Sequence, residues 1–398
     1  MQTTEVIIAG AGPVGTVAAL NLAKQGVKVT LCEAGADCAQ DLRASTFHPP
    51  TLEMLHQMGM AAPLIEKGLI APTYHFRERE SGEVIEFDLT ELKDMTEFPY
   101  RVQCEQHVMA GMLADALEQH PNATVLFNHR VTAFEQNADG VEVALENPYE
   151  MIKLKGKYLI GADGGSSIIR KWLGVQFDGF TYPEKFLTLS TKLELRDHIE
   201  GLSYVNYVSD PSEWLVLLKV PSVWRILVPA SEDQSDEFLT SDEYKEDVLF
   251  RLTGQRDVQT EHRTIYRVHQ RVANKFNHGR VFLTGDSAHL NNPLGGFGMN
   301  SGIHDAWNVC EKIAHCLKTK HDEQLFELFD RQRRQVTHDF IQAQTMQNKA
   351  LLEHGMAEGQ KQRLEQMREF NSDPTKRRKF LLKQSMFESL SDAKAISL

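Results

Sequence analysis

The chain has 398 residues, 41% hydrophobic and 25% charged, an ordinary balance for a folded protein of two to three domains. Its 43 basic against 55 acidic side chains leave a net charge of −12, which argues against a nucleic-acid partner and, less strongly, against an anionic membrane surface. Five cysteines, at 32, 38, 104, 310 and 316, are odd in number and lack CxxC spacing, so disulfides and a metal site are poor readings and reduced cytoplasmic thiols fit better.

Residues 5–9 form a short β-branched apolar run that stops at Gly10, which reads as a buried strand and not a signal peptide. No apolar run approaches the ~20 residues of a membrane-spanning helix. Gly10-Ala11-Gly12-Pro13-Val14-Gly15 follows at once. Gly10 permits the tight turn, Gly12 lets backbone approach a pyrophosphate, and Gly15 lets the next helix pack on the strand. Residues 13–25 have helical character. A second strand, 27–32, ends at Glu33, 18 positions after Gly15, near the spacing expected of a ribose-hydroxyl acceptor. These residues give a nucleotide-binding βαβ unit but do not separate FAD from NAD.

Arg43, in the stretch Asp41 to Thr46, has the fork geometry to grip a phosphate, or is a solvated loop residue. Residues 51–60 read as an amphipathic helix capped by Thr51 or a neighbour, with Met54 and Met58 in the core. From 70 to 100 the pattern alternates, with Ser81-Gly82 as a hairpin turn. Helical spacing returns over 106–118. A strand at 158–160 then runs into Gly161-Ala162-Asp163-Gly164-Gly165, with Ser166-Ser167 able to cap a helix carrying Arg170. Residues 177–270 are rich in short strands, with a helix over 240–254. Their aromatic residues suit a wall for a flat apolar substrate, although sheets commonly carry aromatics.

Residues 280–286 form a strand ending in Gly285-Asp286, and Pro293-Leu294-Gly295-Gly296-Phe297-Gly298-Met299-Asn300 opens a helix over 299–317. Amides at a helix start favour negative charge, and glycines admit a flat ring against backbone. One FAD stretched along the molecule would explain all three glycine motifs. The last fifty residues read as helices of no assigned role.

With these motifs in order over residues 3–345, the chain resembles the class A FAD-dependent aromatic hydroxylases, of which para-hydroxybenzoate hydroxylase is the familiar member. The resemblance implies an α/β fold: a Rossmann-type FAD-binding domain (1–70, 100–175 and 270–345), an inserted β-rich substrate domain (71–99 and 176–269) and a C-terminal helical cap (346–398). It implies that Gly10, Gly12, Pro13 and Gly15 cradle the pyrophosphate, Glu33 the adenosine ribose, Arg43 the pyrophosphate side, and Asp286 the ribityl chain. Gln106 would contact the flavin, with Gln103 competing for that role. Asp163 would serve both FAD and nicotinamide cofactor handling, with Arg170 completing its motif. Pro293, Gly295, Gly296, Gly298, Met299 and Asn300 would line the flavin ring. Pro293 and Arg43 are the candidates for direct catalytic roles. Tyr204, Tyr207, Arg225 and His75 are the substrate candidates, each also readable as structural.

The activity implied is hydroxylation of a small electron-rich aromatic, of phenol, hydroxypyridine or aminobenzoate type. It would use NADH or NADPH and O2 through a flavin C4a-hydroperoxide, with no nucleic-acid partner, metal or integral membrane segment. A homodimer is compatible with the chain, which does not set the oligomeric state. The rival readings are a ubiquinone-pathway type hydroxylase, a flavin halogenase, a non-catalytic flavin- or aromatic-ligand-binding protein and a plain NAD dehydrogenase. A halogenase would need a Trp-x-Trp-x-Ile-Pro stretch, yet Trp214 and Trp224 stand ten positions apart. A dehydrogenase leaves Gly285 to Asn300 unexplained.

Overall fold

The computed structural model describes residues 2–40, 44–210, 214–319, 324–343 and 356–398. Its centre is a six-stranded sheet in the order Asn277–His278, Val281–Leu283, Tyr158–Gly161, Val6–Ala9, Val29–Cys32, Ala123–Leu126. All neighbours are parallel except the short edge pair Asn277–His278 with Val281–Leu283. The strands Val6–Ala9, Val29–Cys32 and Tyr158–Gly161 are buried at every residue, as continuous apolar runs covered on both faces must be. The helix Pro13–Lys24 lies between the helices Gln106–Glu118 and Phe297–Thr319.

Ala9 sits level with Gly161, and Gly161 with Leu283. The turns that leave these three adjacent parallel strands therefore open at one edge of the sheet. Motifs separated by more than a hundred residues each are brought together by strand order alone, at the carboxyl ends where open α/β sheets bind ligands.

An eight-stranded, mostly antiparallel sheet forms the second layer, from Val84–Asp88 at one edge to His289–Leu290 at the other. Period-two alternation divides its residues between two faces. Leu215, Leu217, Trp224, Ile226 and Val228 pack with Val248 and Leu249 of the helix Asp242–Thr253. Their alternates Val216, Leu218, Arg225 and Leu227 face a cavity. The C-terminal helices Met356–Ser372, Pro374–Gln384 and Phe387–Ala395 follow. The first two pack on the sheet's edge strands and the short Leu89–Leu92 turn, where Arg377 pairs with Glu91 at 2.7 Å and Arg378 with Asp94 at 2.6 Å.

Two local expectations change. The helix expected over 240–254 is a pair, Asp236–Leu239 and Asp242–Thr253, because Ser235 and Ser241 each accept an amide hydrogen bond and start a helix. Thr51 caps nothing. The helix Pro49–Gln57 begins with two prolines, which have no N–H to satisfy, and the Thr51 hydroxyl instead meets His304 Nε2 at 3.1 Å. All five cysteines are buried thiols. Among the described residues, no helix is long and apolar enough to cross a membrane.

Candidate active site

The first turn is held by contact that only glycine allows. Gly10 has φ +101°, and a Cβ there would lie 2.3 Å from the Ala162 carbonyl oxygen. A Cβ at Gly15 would lie 1.9 Å from the Gly10 oxygen. At Gly12 a Cβ would meet no atom within 4 Å, so this backbone presents an open face. The helix that follows has Gly12 as N-cap, Pro13 at its first position, no side-chain cap and no acidic residue in its first turn. Its leading amides are therefore available to an anion. Glu33 stands beside them, taking the Ala11 N–H at 2.7 Å and the Gly35 N–H at 2.8 Å.

At the second motif, both Asp163 carboxylate oxygens are engaged locally. One accepts the Ser167 hydroxyl at 2.6 Å, the other the amides of Ile168 and Ile169 at 2.8 and 3.2 Å. Burial raises this carboxyl, and those hydrogen bonds oppose the rise. Arg170 ties this turn to the third motif, donating to the Ser287 carbonyl at 2.9 Å and the Gly165 carbonyl at 2.7 Å, with its guanidinium 3.8 Å from the Phe177 ring centre. The Ser287 hydroxyl returns a bond to the Gly161 carbonyl at 2.7 Å.

Asp286 follows Gly285, whose φ is +59° and whose N–H donates to Asp305 at 3.1 Å. Asp305 is wholly buried and also binds His289 Nε2 at 2.7 Å and Arg333 Nε at 2.6 Å. Burial alone would raise its carboxyl, but Arg333 and His289 hold it below the ordinary range. The glycine loop turns through left-handed Gly295 and Gly296, with φ +88° and +68°. His48 Nε2 donates to the Gly295 carbonyl at 3.0 Å, which fixes its tautomer. Asn300 does not line the cavity. Its side chain donates to the carbonyls of Thr46 and Gly296 at 2.8 and 2.7 Å and accepts the His48 N–H at 3.0 Å, so it holds the loop in shape.

Between this loop and the antiparallel sheet lies a cavity of about 840 Å³. Asp286, Pro293, Gly295, Gly296, Gly298 and Met299 form one wall. Val205, Val216, Leu218, Leu227 and Tyr207 form the apolar wall opposite, with Arg225 set into it. Gly10, Gly12, Pro13, Gly15, Glu33, Gln106 and Asp163 do not line it; the first five lie along the sheet edge, and Gln106 opens its helix with its N–H on the Ala44 carbonyl at 3.1 Å. Arg43 lies outside the described residues.

Of the four substrate candidates, only Tyr207 and Arg225 reach the cavity. Tyr204 precedes the strand Val205–Ser209 and lies under the Arg196 guanidinium at 5.0 Å. His75 is turned to Glu86, with Nε2 2.9 Å from the carboxylate, while its neighbours Tyr74 and Phe76 pack inward. Arg225 is 3% exposed, and burial lowers its pKa against the pull of Tyr266 and Glu105. Sequence reading missed Arg101, Tyr266, Ser45 and Thr46, which share the cavity. Arg101 stands five residues before Gln106 in the short strand Arg101–Gln103, and nothing in that Arg-Val-Gln stretch marks the side chain as buried.

The site fits an FAD on two observations. The open Gly12 face with an uncapped helix start suits a pyrophosphate. The Gln103 side chain is fully buried beside Thr46 with its Nε2 donor unpartnered among the described residues, a group that a polar ring edge would satisfy.

The family model described as FAD binding domain matches residues 3–344. Para-nitrophenol 4-monooxygenase from Pseudomonas sp. (strain WBC-3) is 29% identical over 346 residues, covering 85% of each chain. 6-hydroxy-3-succinoylpyridine 3-monooxygenase from Pseudomonas putida (strain DSM 28022 / S16) is 28% identical over 352 residues, covering 88% of this chain and 89% of that one. The crystal structure of p-nitrophenol 4-monooxygenase PnpA from Pseudomonas putida DLL-E4 superposes with a TM-score of 0.89 and 28% identity, covering 98% of this chain and 99% of that one.

Proposed function

This chain belongs to the FAD binding domain family, and from that premise we propose that it is an FAD-dependent monooxygenase that hydroxylates a small electron-rich aromatic, phenolic or hydroxypyridine in type, with NAD(P)H and O2 as co-substrates. The observation that carries the proposal is the cavity walled by the glycine loop on one side and the apolar sheet face on the other, which offers a flat ring a place against the cofactor loop. Similarity to two monooxygenases that span most of the chain supports the same reading.

Bound FAD supplies the redox chemistry that couples NAD(P)H oxidation to transfer of one oxygen atom from O2. The protein's part is to bind, orient and exclude water. The uncapped amides after Gly12 would hold the pyrophosphate, Glu33 the adenosine ribose and Asp286 the ribityl hydroxyls. Amides at the start of the helix Phe297–Thr319, where Gly298 and Met299 line the cavity, would favour negative charge on a bound flavin ring. Val205, Val216, Leu218 and Leu227 keep the aromatic substrate dry, and Tyr207 and Arg225 offer it polar contacts. In domain terms, we assign the FAD to residues 1–70, 100–175 and 270–345 and the substrate wall mainly to 176–269. The five buried thiols support a reducing, cytoplasmic setting.

The test is to purify the protein with its chromophore and follow NAD(P)H oxidation against a panel of phenols, hydroxypyridines and aminobenzoates. A flavin spectrum and oxidation stimulated by at least one panel member are expected. A colourless protein that cannot be reconstituted, or oxidation that no aromatic changes, overturns the reading.

A further inference from the structure

We propose that Arg101 receives the anionic group of the aromatic substrate, so that the cavity selects a phenolate or aromatic carboxylate over a neutral ring of the same shape. This deepens the proposed function and rests on it.

Arg101 sits in the strand Arg101–Gln103 and is 2% exposed, one of the largest fully buried side chains of the molecule. Its guanidinium lies 4.3 Å over the Tyr74 ring, and it lines the cavity beside Ser45, Thr46 and Arg225. Its Nε and Nη1 are buried and have no acceptor among the described residues. Five arginines line the cavity, and Arg101 differs from the others: Arg170 donates to the Ser287 and Gly165 carbonyls, Arg267 meets Asp236 at 3.6 Å and Arg271 donates to the Phe177 carbonyl at 3.2 Å. Arg225 is balanced by Tyr266 and by Glu105, which also accepts the Ser222 hydroxyl. Arg101 has no carboxylate within salt-bridge distance among the described residues.

The cavity's two aspartates, Asp236 and Asp286, are not within salt-bridge distance of Arg101, and its titratable neighbours His48 and Tyr74 supply no negative charge. His48 is driven toward its neutral form by burial and by Arg101 itself. Burial holds the Tyr74 phenol protonated. Arginine cannot discharge itself by losing a proton. A buried cation with unmet donors is unfavourable unless a counter-ion arrives, and the open side of this one is the cavity. The planar fork matches a delocalised oxyanion. Such an anion has two sources here, the substrate and the pyrimidine edge of a reduced flavin. The guanidinium lies over Tyr74, which packs in one cluster with Phe76 and Tyr207 of the sheet, and this favours the substrate.

The oxidised, FAD-loaded protein, whose flavin is neutral, separates the two sources. It is titrated with 4-nitrophenol across the ionisation of that phenol, and with 4-nitroaniline as a neutral isostere. Binding is followed by difference spectra, which also report whether the bound phenol is ionised. Bound 4-nitrophenol should ionise about one pH unit lower than the free compound, and Arg101→Gln should reverse that shift. The same variant should weaken phenolate binding about tenfold and 4-nitroaniline binding less than about twofold, and Arg101→Lys should restore most of the loss.

The wild-type shift needs no variant, so the proposal stays falsifiable if Arg101→Gln does not fold. An unshifted or upward ionisation overturns it, as does equal weakening of both ligands. Unaltered ligand binding with a changed flavin reduction potential assigns Arg101 to the flavin instead. Wild-type protein that binds neither compound overturns the aromatic-site reading itself; equal affinity for both overturns only the role of Arg101.

Discussion

His48 and His304 are the residues whose chemistry most constrains the solution behaviour of the site. Both are fully buried. Burial first, and then nearby arginines, lower their pKa values, that of His304 to about 3 and that of His48 well below the ordinary value. A base whose folded pKa is lowered takes up its proton preferentially when unfolded. Stability should therefore be fully present above about pH 6.5 and decline below it, by up to about 1.4 kcal/mol per pH unit for each histidine. Asp305 acts in a lower window. Its carboxyl is held down in the fold, so its contribution is present above the ordinary aspartate value near 4 and is lost as pH falls through the folded value. Urea unfolding at pH 7.5 and 5.5 should show a loss of roughly 2 kcal/mol or more at the lower pH. His304→Gln should flatten that dependence by about half. Equal stability at both values would mean that the histidines are not buried in their neutral form.

At the scale of elements, the decisive contact is where three of them meet at Gly302. A Cβ on Gly302, within the long helix Phe297–Thr319, would come 2.8 Å from Gly285 Cα and 2.7 Å from Val14 Cγ2. The helix thus presses the Gly285-Asp286 turn against the first helix, at the place where Asp286 is assigned to the cofactor. Gly302→Val should displace that turn and weaken FAD retention at least about tenfold, at a packing cost of about 1–3 kcal/mol. Normal flavin content in a folded Gly302→Val protein would remove Gly285-Asp286 from the cofactor role. This contact also marks the limit of what the chain reveals on inspection. The glycines at 10, 12 and 15 announce themselves because they cluster after an apolar strand. Gly302 is a lone glycine in a helix, and nothing in its surroundings signals the approach of a turn near residue 285. Arg101, Asp305 and Arg333 were invisible for the same reason: each is a single charge whose burial is created by long-range packing. Tyr204 and His75 do not line the cavity, His75 because it sits on the other side of its strand from Phe76. Alternation tells which residues share a side of a strand, but only the pairing of strands tells which side meets the cavity.

Over the whole molecule, strand order does the joining. The strands Val6–Ala9, Tyr158–Gly161 and Val281–Leu283 are neighbours in register, so turns near residues 10, 163 and 285 open at one sheet edge. The antiparallel sheet then closes the cavity from the other side. That arrangement was legible from the motifs because a right-handed parallel crossover leaves few ways to order such strands. The shape of the cavity and the charge within it were not. The account stands on FAD bound along that edge delivering oxygen to a ring held against the sheet. The most direct measurement gives the FAD-loaded protein NAD(P)H, an aromatic that stimulates NAD(P)H oxidation, and isotopically labelled dioxygen, and then weighs the product. The account predicts a hydroxylated ring carrying one labelled oxygen per NAD(P)H consumed. An unmodified aromatic, or a hydroxyl whose oxygen comes from water, would contradict it.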